Sequence, residues 1–136
     1  MYLRFDLPAK YISEQLPGEP WQVYVEFRLG VAIDVQLTTT NLGQQPMELS
    51  QALHTYLPVR DIHQARIGGL ANAAYIDALD DWTHKTQTGD VQFASELDRI
   101  YYGHAGDLQL HDADCPVVVE RQGSESVVVW NPWQAK

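Results

Sequence analysis

An all-β fold, an antiparallel β-sandwich, is what this sequence predicts, on three observations. Apolar residues fall at every second position in short runs along the chain. Gly, Pro and Asn interrupt those runs at close intervals, as turns between strands require. No segment carries an amphipathic helical stripe; the Ala-rich stretch Gly69 to Asp80 has helical composition without one. Ten or so short strands must bury one face against another sheet, which leaves a sandwich or a barrel.

Taken in order, Tyr2 to Leu7 alternates weakly and predicts an edge strand, and Pro8 to Pro20, with three prolines and Gly18, predicts a loop. Trp21, Val23, Val25, Phe27 and Leu29 then share one face, with Gln22, Tyr24, Glu26 and Arg28 on the other. That is a half-buried strand. Gly30 breaks it, and Val31 to Thr40 resumes the alternation as an antiparallel neighbour. Asn41-Leu42-Gly43 and Pro46 supply a turn. Met47 to Val59 predicts a third strand, with Leu49, Gln51, Leu53, Thr55 and Leu57 inward and His54 and Tyr56 on the more polar face. Shorter strands follow at Ile62–Ile67, Ala74–Asp77, Trp82–Lys85 and Val91–Phe93, then at Leu97–Tyr102, Leu108–His111, Pro116–Glu120 and Ser126–Trp130. At 136 residues the chain predicts one β-sandwich domain with a genuine core.

Eighteen acidic against nine basic side chains give a formal charge of −9, and no Lys/Arg run offsets it. Nucleic acid and anionic membrane surfaces are therefore excluded as partners, whereas a small phosphate ester needs only one or two local Arg residues. Cys115 is the only cysteine, so no internal disulfide forms, and its place before Pro116 predicts a structural role. No stretch approaches eighteen apolar residues and the N-terminus lacks a leader pattern, so a cytoplasmic location is expected.

His54 is the sharpest chemical candidate. Imidazole titrates near neutrality and can hand a proton to an oxygen at ordinary pH. The bland alternative is a surface histidine bonded to a neighbour. Asp98 and Arg99, flanked by Glu96 and Tyr101, form a second candidate, but successive strand residues face opposite ways, so one pocket takes both only across a bulge. A solvated charge pair is the alternative there. Trp130 and Trp133 are either sugar-stacking rings or core plugs. Asp77, Asp80 and Asp81 read as a solvated acidic turn. The histidines His63, His84, His104 and His111 have no metal-ligand spacing, so neither a metal site nor a cofactor is expected.

Gln51 to Ile62, continued by Gly69-Leu70 and Tyr75-Ile76-Asp77, resembles the signature around the catalytic histidine of the sugar-phosphate mutarotases. These are the hexose-6-phosphate 1-epimerase branch of the galactose mutarotase-like, or aldose 1-epimerase, family. Asp98-Arg99-Ile100-Tyr101 and Val128-Val129-Trp130-Asn131-Pro132-Trp133 are similar to two further landmarks in the same order. The resemblance runs from about Trp21 to Trp133, with residues 1–20 only faintly alike.

It implies part of a large antiparallel β-supersandwich and an isomerase chemistry. In that chemistry a base takes the C1-hydroxyl proton, an acid protonates the ring oxygen, and the opened ring recloses as the other anomer. His54 would be the acid, with Asp98, Tyr56 and Arg99 on the substrate. The family's general base is a glutamate beyond the Trp-Asn-Pro-Trp landmark, and no residue of this chain matches it. Weak or absent turnover is therefore expected, together with a homodimer that covers exposed sheet surface. Two alternatives stand beside this: a non-catalytic module binding a sugar or sugar phosphate, and a ligand-free oligomeric remnant.

Overall fold

Eleven strands and no helix make up the described part of the chain. A computed structural model describes residues 1–8, 20–104, 106–112 and 116–133; Cys115 and most of the predicted loop from Pro8 to Pro20 lie outside them. The strands are β1 (Tyr2–Asp6), β2 (Trp21–Leu29), β3 (Ile33–Asn41), β4 (Arg66–Gly68), β5 (Ala74–Asp77) and β6 (Thr83–Thr86). They continue as β7 (Val91–Gln92), β8 (Leu97–Tyr101), β9 (Leu108–His111), β10 (Val117–Val119) and β11 (Val127–Asn131). No helix among the described residues is long and apolar enough to cross a membrane. By their internal contacts the residues group into two compact units, Met1–Tyr56 and Leu57–Lys136.

The first unit is a three-stranded antiparallel sheet in the order β1-β2-β3. Its register sets Phe5 opposite Val25 and Val25 opposite Leu37, so the apolar positions of all three strands share a face. Phe5 and Phe27 meet edge to face at 6.0 Å on it. On the polar face the Arg4 guanidinium lies 3.6 Å from the Tyr24 ring centroid and bonds Asp6 at 2.7 Å. That ion pair holds the Asp6 carboxyl below the usual carboxylate range. Pairing is regular, yet Leu3, Phe5, Ile33 and Val35 all remain exposed.

The predicted third strand, Met47 to Val59, does not form. The segment has no strand, and its supposed inward residues Leu49, Gln51, Leu53, Thr55 and Leu57 are all exposed. Alternation records which side chains share a side, but a strand also needs a neighbour's ladder for its backbone groups. The Thr39 hydroxyl donates to the Gln51 side-chain oxygen at 2.8 Å, a side-chain bond and not a backbone ladder.

The second unit is the sandwich proper. One sheet runs β10-β9-β4-β7 and the other β11-β8-β5-β6, with every pairing antiparallel. Leu108, Leu110 and Val91 from the first sheet and Tyr75, Leu97, Tyr101 and Val129 from the second belong to one buried cluster. Leu108 and Leu110 are two residues apart in β9 and Leu97 and Tyr101 four apart in β8, the even spacing of a one-sided sheet face.

Turn chemistry joins these strands. The predicted strand from Ile62 to Ile67 shrinks to Arg66–Gly68 because Asp61 folds the preceding residues into a turn: its side chain accepts from His63 N–H at 3.0 Å and its carbonyl from Gln64 and Ala65 N–H at 3.0 Å. Gly69 follows at φ 98°, where a Cβ would come within 2.4 Å of the Asp107 carbonyl oxygen. Only glycine fits that close approach of two backbones.

Candidate functional site

Strand β8 carries the second sequence motif, and its pairing decides which way each residue faces. Asp98 lies opposite Trp130, Arg99 opposite Val129 and Tyr101 opposite Val127, in unbroken register. Tyr101 also pairs with Tyr75 and Arg99 with Asp77 on the other side. With no bulge, Leu97, Arg99 and Tyr101 point to the core while Asp98 and Ile100 point away from it. Asp98 and Arg99 therefore do not share a face.

Arg99 is committed inward. Its Nη1 donates to the Gln87 Oε1 at 3.1 Å, and its guanidinium carbon lies 4.8 Å from the Tyr75 ring centroid. The Tyr101 hydroxyl donates to the same Gln87 oxygen at 2.7 Å, while Tyr75 and Tyr101 pack with ring centroids 5.2 Å apart. Burial pushes the Tyr101 phenol up from its ordinary value, the Arg99 charge opposing. Gln87 is thus a buried polar hub, and it had no sequence signal: it sits in the irregular stretch between β6 and β7, among ordinary turn residues. Its amide donates to the Thr88, Gly89 and Asp90 carbonyls at 3.2, 3.3 and 3.4 Å.

Beside the hub, Lys85 bridges Asp77 at 2.8 Å and Asp80 at 2.6 Å. Hydrogen bonds to those two carboxylates push the Lys85 ammonium up to about 12, and Lys85 and Thr83 together hold the Asp80 carboxyl low. The acidic turn read as a solvated loop is a clamp around one lysine.

The opposite, outward face of the β11-β8-β5-β6 sheet carries Asp98, Trp130, Val128, Ile100, Ile76 and His84. Asp98 is half-buried there; Trp130 is 47% exposed and Val128 56%. His84 shares a 3.0 Å hydrogen bond with the Tyr102 hydroxyl. The two tryptophans of the C-terminal motif part company. Trp133 turns inward against the core, its backbone N–H donating to the Asn131 side-chain oxygen at 2.8 Å, and meets His63 edge to face at 4.8 Å. Trp130 turns outward.

His54 and Tyr56 lie in the first unit, on the irregular segment that replaces the predicted strand, and both are exposed. A second residue that sequence reasoning missed is Arg121. Its Nη2 contacts the His104 ring nitrogen at 2.9 Å and donates to the His104 and Gly106 carbonyls at 3.0 and 2.9 Å, tying loops together. Among the described residues no group of three or more His, Cys, Asp or Glu is placed to hold a metal ion.

Comparison with known proteins gives a consistent result. The family model described as Aldose 1-epimerase matches residues 11–136. A "Putative glucose-6-phosphate 1-epimerase" of Cenchrus ciliaris is 35% identical over 127 residues, covering 85% of this chain and 39% of that protein. Its namesake in Escherichia coli is 27% identical over 144 residues, covering 98% and 45% respectively. Among solved structures, a "putative mutarotase (YeaD)" from Salmonella typhimurium superposes with a TM-score of 0.82 at 25% identity, covering 97% of this chain and 44% of the other. The chain spans less than half the length of the relatives it matches.

Proposed function

Because the chain belongs to the aldose 1-epimerase family, we propose that it binds a hexose 6-phosphate and takes part in interconverting its α and β anomers. His54 is the acid that protonates the ring oxygen as the C1-hydroxyl proton leaves. Asp98 accepts hydrogen bonds from sugar hydroxyls and orients the ring. Ring opening, rotation about C1–C2 and reclosure then give the other anomer. No residue of the chain is assigned the base.

The observation that supports this most is the direction of Asp98. It stands on the outward face of a rigid four-stranded sheet, half-exposed, so its carboxylate can reach a ligand without breaking the core. Arg99 plays no part on that face, being bonded to Gln87. Tyr56, exposed on the same segment as His54, is a second hydroxyl partner for the sugar.

Anomerically pure α-glucose 6-phosphate, followed by NMR as it equilibrates, tests the proposal. The expected result is detectable binding and a small acceleration that His54→Ala removes. No binding and an unchanged uncatalysed rate would overturn it.

A further inference from the structure

We propose that Trp130 is the platform on which the pyranose ring stacks, and that Trp130 and Asp98 together form one sugar-reading pair on the outward face of the β11-β8-β5-β6 sheet. This rests on the sugar-phosphate reading above and adds to it the residue that recognises the ring's apolar face.

Register carries the argument. Trp130 and Asp98 are directly opposed in the β11–β8 ladder, which brings their Cβ atoms to within about 5 Å of each other. The neighbours Val129, Leu97 and Tyr101 are buried, so the alternation leaves these two no inward choice. The result is a large indole, 47% exposed, standing beside a half-buried carboxylate. Val128, 56% exposed, and the half-buried Ile100 and Ile76 extend the apolar surface around it.

A pyranose presents two kinds of surface. Its axial C–H bonds make an apolar face that packs on an aromatic plane, and its equatorial hydroxyls are donors around the rim. An indole next to a carboxylate matches both at once: the ring lies on Trp130 while a rim hydroxyl donates to Asp98. A carboxylate alone competes poorly with water for a hydroxyl; an adjacent apolar plane adds surface that water cannot replace. Trp133, the other aromatic of the motif, is unsuited to this, since its ring packs on the core and His63.

Saturation-transfer NMR and calorimetric titration of the full chain with glucose 6-phosphate provide the test, on wild type, Trp130→Ala and Trp130→Phe. Circular dichroism and the urea midpoint check that each variant is folded. We expect Trp130→Ala to weaken binding about tenfold or more, and Trp130→Phe to stay within about threefold of wild type because stacking survives. Saturation should fall mainly on the axial protons of one ring face, and Trp130→Ala should remove that bias. If folded Trp130→Ala binds as tightly as wild type, the stacking role is overturned while the sugar-phosphate reading stands. Equal losses in Trp130→Ala and Trp130→Phe also overturn it, because a flat ring would not be what matters. Absence of binding to wild type overturns both together.

Discussion

Replacing Gln87 with leucine should destabilise the second unit by about 2–4 kcal/mol, and removing the Tyr101 hydroxyl as well should add little to that. Gln87 is 6% exposed, and Tyr101, whose hydroxyl it accepts, is fully buried. Leucine leaves that hydroxyl without an acceptor in a dry core, which costs about 1–3 kcal/mol. The Arg99 bond at 3.1 Å adds less than about 1 kcal/mol, since the half-buried guanidinium can turn to water. The amide contacts at 3.2, 3.3 and 3.4 Å are long and together add about 1 kcal/mol at most. Tyr101→Phe alone should cost about 1 kcal/mol, one hydrogen bond. In the double variant Gln87→Leu/Tyr101→Phe no orphaned hydroxyl remains, so the cycle should show a coupling of about 1–2 kcal/mol. Urea unfolding of the four proteins at one pH measures it. Single costs that add to within about 0.5 kcal/mol would refute the hub, because two groups sharing one buried bond cannot behave independently.

Gly69→Ala should cost about 2–4 kcal/mol, from a positive φ and a Cβ driven against the Asp107 carbonyl; an unchanged urea midpoint would contradict the close approach. The Lys85 clamp should show a signed pH dependence. Asp80 is held low, so its contribution is present above the unfolded carboxylate range and lost as pH falls through its folded value. Lys85 is held high, so its contribution persists below its ordinary range and is lost only as pH rises through about 12. Comparing urea midpoints of wild type and Lys85→Met, the gap should be open at pH 7 and narrow towards pH 3; a gap constant with pH would sink the ion cluster as its cause. The exposed Leu3, Phe5, Ile33 and Val35 predict self-association as a homodimer. Sedimentation at micromolar concentration should give twice the chain mass, and a monomer mass would count against it.

Strand identity was largely legible from residue order. Trp21–Leu29 appears with the predicted bounds, and Ala74–Asp77 and Leu108–His111 do too, because period-two alternation is a local property that each strand carries by itself. Met47 to Val59 shows where that stops: it alternates too, with Gln51 and Thr55 interrupting the apolar set, but a strand exists only if another backbone lies alongside, and residue order does not name the neighbour.

The site divided along the same line. That His54, Asp98, Arg99 and Trp130 are chemically capable groups was decided by side-chain type alone, and opposed facing of adjacent residues on an unbulged strand follows from stereochemistry. Which of Asp98 and Arg99 faces the core was settled only by pairing, which put Leu97, Arg99 and Tyr101 over the buried Tyr75 and turned Asp98 to the side of Trp130. The same packing made Gln87 a hub, since a lone amide becomes an anchor only when distant strands close over it. Local chemistry is written in the order of residues; which groups share a surface is set by contacts between segments far apart in the chain.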